Sequence, residues 1–280
     1  MWNGLRSVIG SFVKRANGII NMTLIEDFLS LLGGCFAFFM ANNRGGFGIT
    51  LFVGIAFAAF CWWGCSAYSR LWNLRYRVTF THHILCALAA ILTLASTLVF
   101  AALRYTKEAA DVSVQVWEVQ INLDRFWADT TFSTAYYKVK ALGLEDFSNA
   151  PPPGSPGGSH IPVTQNGSQL LAASIYANAA AAHFGTARPF LGKIIHAKAE
   201  LPSALLDADV KNYFATVSSS YPPARGISLV SQEMKRQLDV QVPRVIPVFR
   251  SIAIALFFLV QLVPFGLVGI AAYRDLKTHT

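Results

Sequence analysis

Two thiols four residues apart, Cys61 and Cys65, precede a short arginine-bearing stretch that leads to His82, His83 and Cys86. Side chains four apart share a helix face. A hairpin joining two helices here brings thiols and imidazoles to similar depth, which is ligand chemistry for zinc or a softer metal. The four cysteines, Cys35, Cys61, Cys65 and Cys86, all lie in apolar runs, where a thiol equally serves as a small hydrophobe. Metal handling and plain packing are therefore both open at this stage. Trp62 and Trp63 beside the thiols suit an interfacial aromatic belt as well as a site. A haem is disfavoured, because the first, second and fourth apolar runs contain no histidine, and no cofactor is expected.

The elements that position these residues are membrane spans. Apolar runs cover roughly 24–42, 47–68, 79–103 and 248–273, each reaching or approaching the ~20 residues a helix needs to cross ~30 Å of hydrocarbon. The net charge of +8 resolves once it is placed along the chain. Between Tyr105 and Phe249 twelve Lys/Arg balance twelve Asp/Glu, and the excess sits beside the apolar runs. The basic balance is thus a topology signal and gives no reason to expect nucleic acid. Cytoplasmic loops hold the Lys/Arg excess. Arg6, Lys14 and Arg15 precede the first run, Arg70, Arg75 and Arg77 follow the second, and Arg274 and Lys277 follow the fourth. This predicts a multi-pass protein of a bacterial inner (plasma) membrane with both termini cytoplasmic and the long stretch after the third run outside. Glu26 and Asp27 shorten the first apolar core, and they are expected at the inner edge, in water or paired with an arginine of the inner turn. If that run is instead re-entrant or interfacial, three spans remain and the N-terminus is outside.

The expected fold is all-α: four transmembrane helices, with three possible, and a helical extracytoplasmic domain between the third and fourth. The chain divides as 1–21, an amphipathic interfacial helix; 22–104, three spans; 105–247, the external domain; and 248–280, the last span and a short tail. Trp2, Arg6, Lys14 and Arg15 are the lipid-surface candidates of the first segment. In the external domain Val112, Val116, Val119, Leu123 and Phe126 recur at 4-3-4-3 spacing, widened by Trp117, Ile121 and Trp127. That stripe predicts a helix projecting uninterrupted as far as Gly143 with this face packed. A Pro/Gly loop spans 147–158. Further helices are expected over 169–184, which is alanine-rich, 203–217 and 228–242, the last leading through Pro243 and Pro247 into the fourth span. Gln261 is expected to bond to a neighbouring helix and Pro264 to kink the span.

Four spans with a tiny first and a large second outer loop is the layout of tetraspanins. Their large loop should carry a Cys-Cys-Gly motif, and this one has no cysteine, so the resemblance fails. No G-x-S-x-G, H-E-x-x-H or phosphate-loop pattern is present, and His160, His183 and His196 have no carboxylate at a telling spacing. The reading is therefore a non-enzymatic inner-membrane subunit or assembly factor of a larger envelope complex, of the secretion or conjugation kind. The lipid bilayer and other subunits, or copies of itself, are its partners. Trp117, Trp127, Tyr136, Tyr137 and Tyr221 are candidate partner contacts, since Trp and Tyr dominate interface hot spots, and simple core packing is the competing reading of the same residues. The alternatives are a channel or transporter component, and a metal-handling protein using Cys61, Cys65, His82, His83 and Cys86.

Overall fold

The computed structural model describes residues 22–42, 44–155, 160–195, 201–216 and 220–278. The lipid-surface residues Trp2, Arg6, Lys14 and Arg15, with the whole 1–21 helix, lie outside them, as does His196. Among the described residues the chain is helical without strands. In order come α1 (Met22–Asn42), α2 (Arg44–Trp72), α3 (Phe80–Ala102), a 3₁₀ turn (Leu103–Tyr105), α4 (Thr106–Leu123), α5 (Arg125–Leu142), α6 (Asn166–Ala187), α7 (Pro189–Ile194), α8 (Ser203–Phe214) and α9 (Pro223–Thr278). Four helical stretches are long and apolar enough to cross a membrane: Leu24–Ala41, Gly45–Trp72, Phe80–Leu123 and Pro223–Thr278. The chain forms two compact units, one of residues 1–31 and 110–242, the other of 32–109 and 243–280.

Most expected elements are present, and the departures have local causes. The helix following α3 does not run on to Gly143. Asp124 interrupts it, because its carboxylate accepts from the Trp127 amide at 3.0 Å and caps a new helix. That helix, α5, ends where Gly143 takes a left-handed φ of 67°. Neither Pro243 nor Pro247 ends α9; both lie inside it, and the division between units falls at Val242/Pro243, where two missing amide donors thin the ladder.

In the first unit the alanine-rich α6 is the central element. Ala172, Ala173, Ala177, Ala180 and Ala181 are buried together with Tyr176 and Phe184. The N-terminus of α6 has no side-chain cap of its own. Glu145 in the preceding loop supplies it, accepting from the Thr164 and Gln165 amides at 2.8 and 2.7 Å and from the Thr164 hydroxyl at 2.8 Å. Partial burial alone would raise the Glu145 carboxyl, but these donors outweigh it and hold the group below its usual value. A depressed folded-state pKa means the stabilisation is complete above the unfolded value of about 4.3 and disappears as pH falls through the lower folded value. Glu145→Ala is expected to cost about 1–2 kcal/mol at pH 7. In denaturant titrations the variant should also lose less stability than the parent between pH 5 and pH 3. Equal acid sensitivity in the two proteins would contradict the cap.

Candidate functional site

The α2–α3 hairpin of the second unit carries the thiols and imidazoles singled out above. Cys65 and Cys86 are fully buried in one core with Ala89 and Val268, and Cys61, Tyr68, Leu85 and Phe265 pack around them. The Cys61 thiol points to the Gln261 side-chain oxygen at 3.8 Å. Thr79 caps α3, and the His82 ring in the first turn is buried, 5.6 Å from the Tyr76 ring, with neither nitrogen hydrogen-bonded. His83 is exposed and lies 6.3 Å from the Trp62 ring. Among the described residues no three His, Cys, Asp or Glu side chains converge to hold an ion. The expected set of Cys61, Cys65, His82, His83 and Cys86 is therefore brought to one end of a hairpin without becoming a ligand cradle. The Cys65 and Cys86 thiols contact each other inside the apolar core, the Cys61 thiol faces Gln261, and the rings pair with aromatic neighbours.

Polar contacts knit the same unit. Gln261 in α9 donates to the Ala89 carbonyl and the Thr93 hydroxyl, both at 3.0 Å, so the expected bond to a neighbouring helix is present. Asn73 in the α2–α3 turn donates to the Asp275 carboxylate at 3.1 Å. Among the glycines of these helices, a Cβ at Gly34 would meet Ala109 and one at Gly269 would meet Tyr68 and Trp72, while Gly33, Gly48 and Gly266 have nothing within 4 Å of a Cβ position among the described residues. In the second half of α1 the Cys35 thiol faces the Thr106 hydroxyl at 3.9 Å, and the Phe39 and Tyr105 rings are 5.9 Å apart. This half of α1 thus meets residues at and beyond the end of α3.

In the first unit four of the five aromatic residues expected at a partner surface are core residues. Trp117, Trp127, Tyr136 and Tyr221 are buried, and only Tyr137 is exposed. The Trp117 indole donates to His183 Nδ1 at 3.0 Å and sits edge-on to Phe184; the Tyr136 hydroxyl donates to the Ala150 carbonyl at 2.8 Å. Large amphipathic rings fill the interior because it can satisfy their single polar atom.

The apolar stripe on α4 is the converse case. Val112, Val116, Val119 and Leu123 are all exposed, Val119 at 60% and Leu123 at 76%, and Phe126 just beyond them is 81% exposed. The buried residues of α4 are Ala110, Val114, Trp117 and Ile121. At 100° per residue the two sets lie on opposite sides of the helix, so Trp117 and Ile121 do not widen the stripe but oppose it. The helix has two apolar faces, and the face bearing the tryptophan is the one that packs inward.

The chain matches no family model, no curated protein and no solved structure. Function then rests on the side chains themselves. The outward face of α4 is an apolar surface that the packing of the first unit leaves exposed. Asp27 is buried, accepts from the amides of Phe190 and Leu191 at 3.0 and 3.2 Å, and pairs with Arg188 at 3.4 Å. Its arginine partner is thus Arg188, where an arginine of the α2–α3 turn was one expectation. Sequence reasoning missed this contact because α7 is a six-residue helix with no periodicity to detect.

Proposed function

We propose that the protein is a non-enzymatic, self-associating subunit of a larger envelope complex in an inner (plasma) membrane. Its 110–242 unit lies on the extracytoplasmic face, and the outward side of α4 joins it to a second copy. The observation that carries this reading is the exposed row Val112, Val116, Val119 and Leu123. Its 4-3-4 spacing is that of a coiled-coil seam, which is completed by a helix of the same repeat. Gln115, Gln120 and Asn122 flank the seam, so pairing with an identical helix meets no like-charge repulsion there. Copies anchored in one bilayer are already parallel and at matched height, which raises their effective concentration.

The contact of Asp27 with Phe190 supports a three-span arrangement. Two residues in contact occupy the same face of a bilayer, so the chain between them crosses an even number of times. α2 and α3 supply two crossings, and α1 would add an odd third. On this reading α1 stays on the face of the 110–242 unit, and α2, α3 and the apolar part of α9 span. The arginines at 70, 75 and 77 and the basic tail at 274 and 277 remain cytoplasmic. Lys14 and Arg15 lie about thirty residues before the first span at Gly45, and Arg6 about forty, outside the 15–20 residues over which flanking charge orients a helix.

Disulfide trapping in native membranes tests the seam, with the four native cysteines replaced by serine or alanine. Val119→Cys is expected to give a covalent dimer at least ten times faster than Asp129→Cys, an exposed position on α5. Adding Leu123→Glu should reduce trapping at 119 by a similar factor while leaving the fold intact, since Leu123 is largely exposed. Equal trapping at 119 and 129 would sink the proposal.

A further inference from the structure

Within the second unit, the ends of α2 and α3 remote from the Arg70–Arg77 turn enclose a cavity of about 510 Å³ lined by Phe39, Ile49, Thr50, Phe100, Arg104 and Arg250. Two of these six are guanidinium groups, and no carboxylate lines the space. Arg250 lies over the Phe100 ring at 5.6 Å and Arg104 over the Tyr105 ring at 5.6 Å. Among the described residues neither forms an ion pair. The Arg250 Nε is buried without a hydrogen-bond partner. A cation held at the edge of a hydrocarbon region is costly unless an anion compensates it. Arg104 follows the apolar stretch of α3 and Arg250 precedes that of α9, which places both guanidiniums at headgroup depth of one leaflet. The surrounding apolar side chains provide a dry wall, and the planar, multi-donor fork of arginine matches a phosphate. We propose that this cavity binds a phosphate group, carried by an anionic phospholipid or free in solution.

The test uses the full chain purified in mild detergent and offered equal phosphatidylglycerol and phosphatidylcholine, with bound lipid counted by native mass spectrometry. Phosphatidylglycerol is expected to be retained at least fivefold over phosphatidylcholine. Arg104→Gln/Arg250→Gln should lower that retention about tenfold, and Arg104→Lys/Arg250→Lys should restore part of it. Arg70→Gln, at the other end of the spans, should leave it unchanged; melting curves confirm that each variant is folded. In a second arm inorganic phosphate is titrated without lipid. Protection from heat that depends on the two arginines, with no lipid preference, assigns a free phosphate as the ligand. Absence of both lipid preference and phosphate protection in the parent protein overturns the site. So does either effect persisting undiminished in the folded double glutamine variant.

Discussion

Asp27→Ala is expected to destabilise the first unit by about 3–5 kcal/mol, the usual cost of breaking a buried ion pair from one side. The carboxylate is 4% exposed and serves three donors at once: the Phe190 and Leu191 amides and the Arg188 guanidinium. α7 begins without a side-chain cap from its own sequence, since Arg188 occupies that position with Pro189 behind it. Asp27 therefore acts as the cap from 163 residues away, and the adjacent Phe28 ring meets Phe190 edge-on at 5.0 Å. Removing the carboxylate strands two amides and a cation together. Asp27→Asn keeps an acceptor oxygen but not the charge, and should cost about 1–2 kcal/mol. Denaturant midpoints measure both losses, and cleavage by trypsin after Lys193 should accelerate in proportion. A change below about 1 kcal/mol for the alanine variant would mean the contact does not form in the folded protein. The even-crossing argument for three spans would fall with it.

The sequence made the long helices legible because membrane spans and alanine-rich helices declare themselves by composition over many residues. The first three apolar runs and α6 are found within a few residues of their expected bounds, whereas the fourth run is the C-terminal part of the longer α9. What it left obscure was orientation around a helix axis. α4 offers Val112, Val116, Val119 and Leu123 on one side and Ala110, Val114, Trp117 and Ile121 on the other. Periodicity alone cannot rank two apolar faces, and the inward one is decided by His183 and Phe184 meeting Trp117 across 66 and 67 residues of chain. Which of the aromatic candidates pack inward was obscure for a related reason. The partners of their polar atoms, such as the Ala150 carbonyl for Tyr136 and the Asp209 carboxylate for Tyr221, lie in loops and helices that sequence spacing does not connect. The cysteine–histidine cluster shows the limit in the other direction. Spacing placed the residues at one end of a hairpin, but ligation requires convergence within a few tenths of an ångström, and among the described residues no three of these groups converge.

Gly226→Ala should destabilise the protein even though it places a better helix former inside a helix. In the open interior of a helix this exchange gains about 1 kcal/mol. At Gly226, in the first turn of α9, a Cβ would lie 2.8 Å from the Tyr176 Cβ, 3.1 Å from the Ala177 nitrogen and 3.1 Å from the Tyr176 carbonyl carbon. Two of those atoms are backbone of α6, so no side chain can swing aside. The approach is fixed on both flanks. Asp209 on α8 receives the Tyr221 hydroxyl at 2.8 Å and the Arg225 Nε at 3.0 Å, which holds the start of α9 in place. Overpacking of about 1–3 kcal/mol therefore exceeds the propensity gain and sets the sign, and Gly226→Val, with two further methyl groups, should prevent the unit from folding. Gly185, inside α6, has nothing within 4 Å of its Cβ position, so Gly185→Ala should stabilise by up to about 1 kcal/mol. Opposite signs for the two glycine-to-alanine changes, read from denaturant midpoints in the same detergent, are what direct contact between α6 and the start of α9 requires. A stabilising Gly226→Ala would show that these helices stand further apart and that the alanine surface of α6 serves some other neighbour.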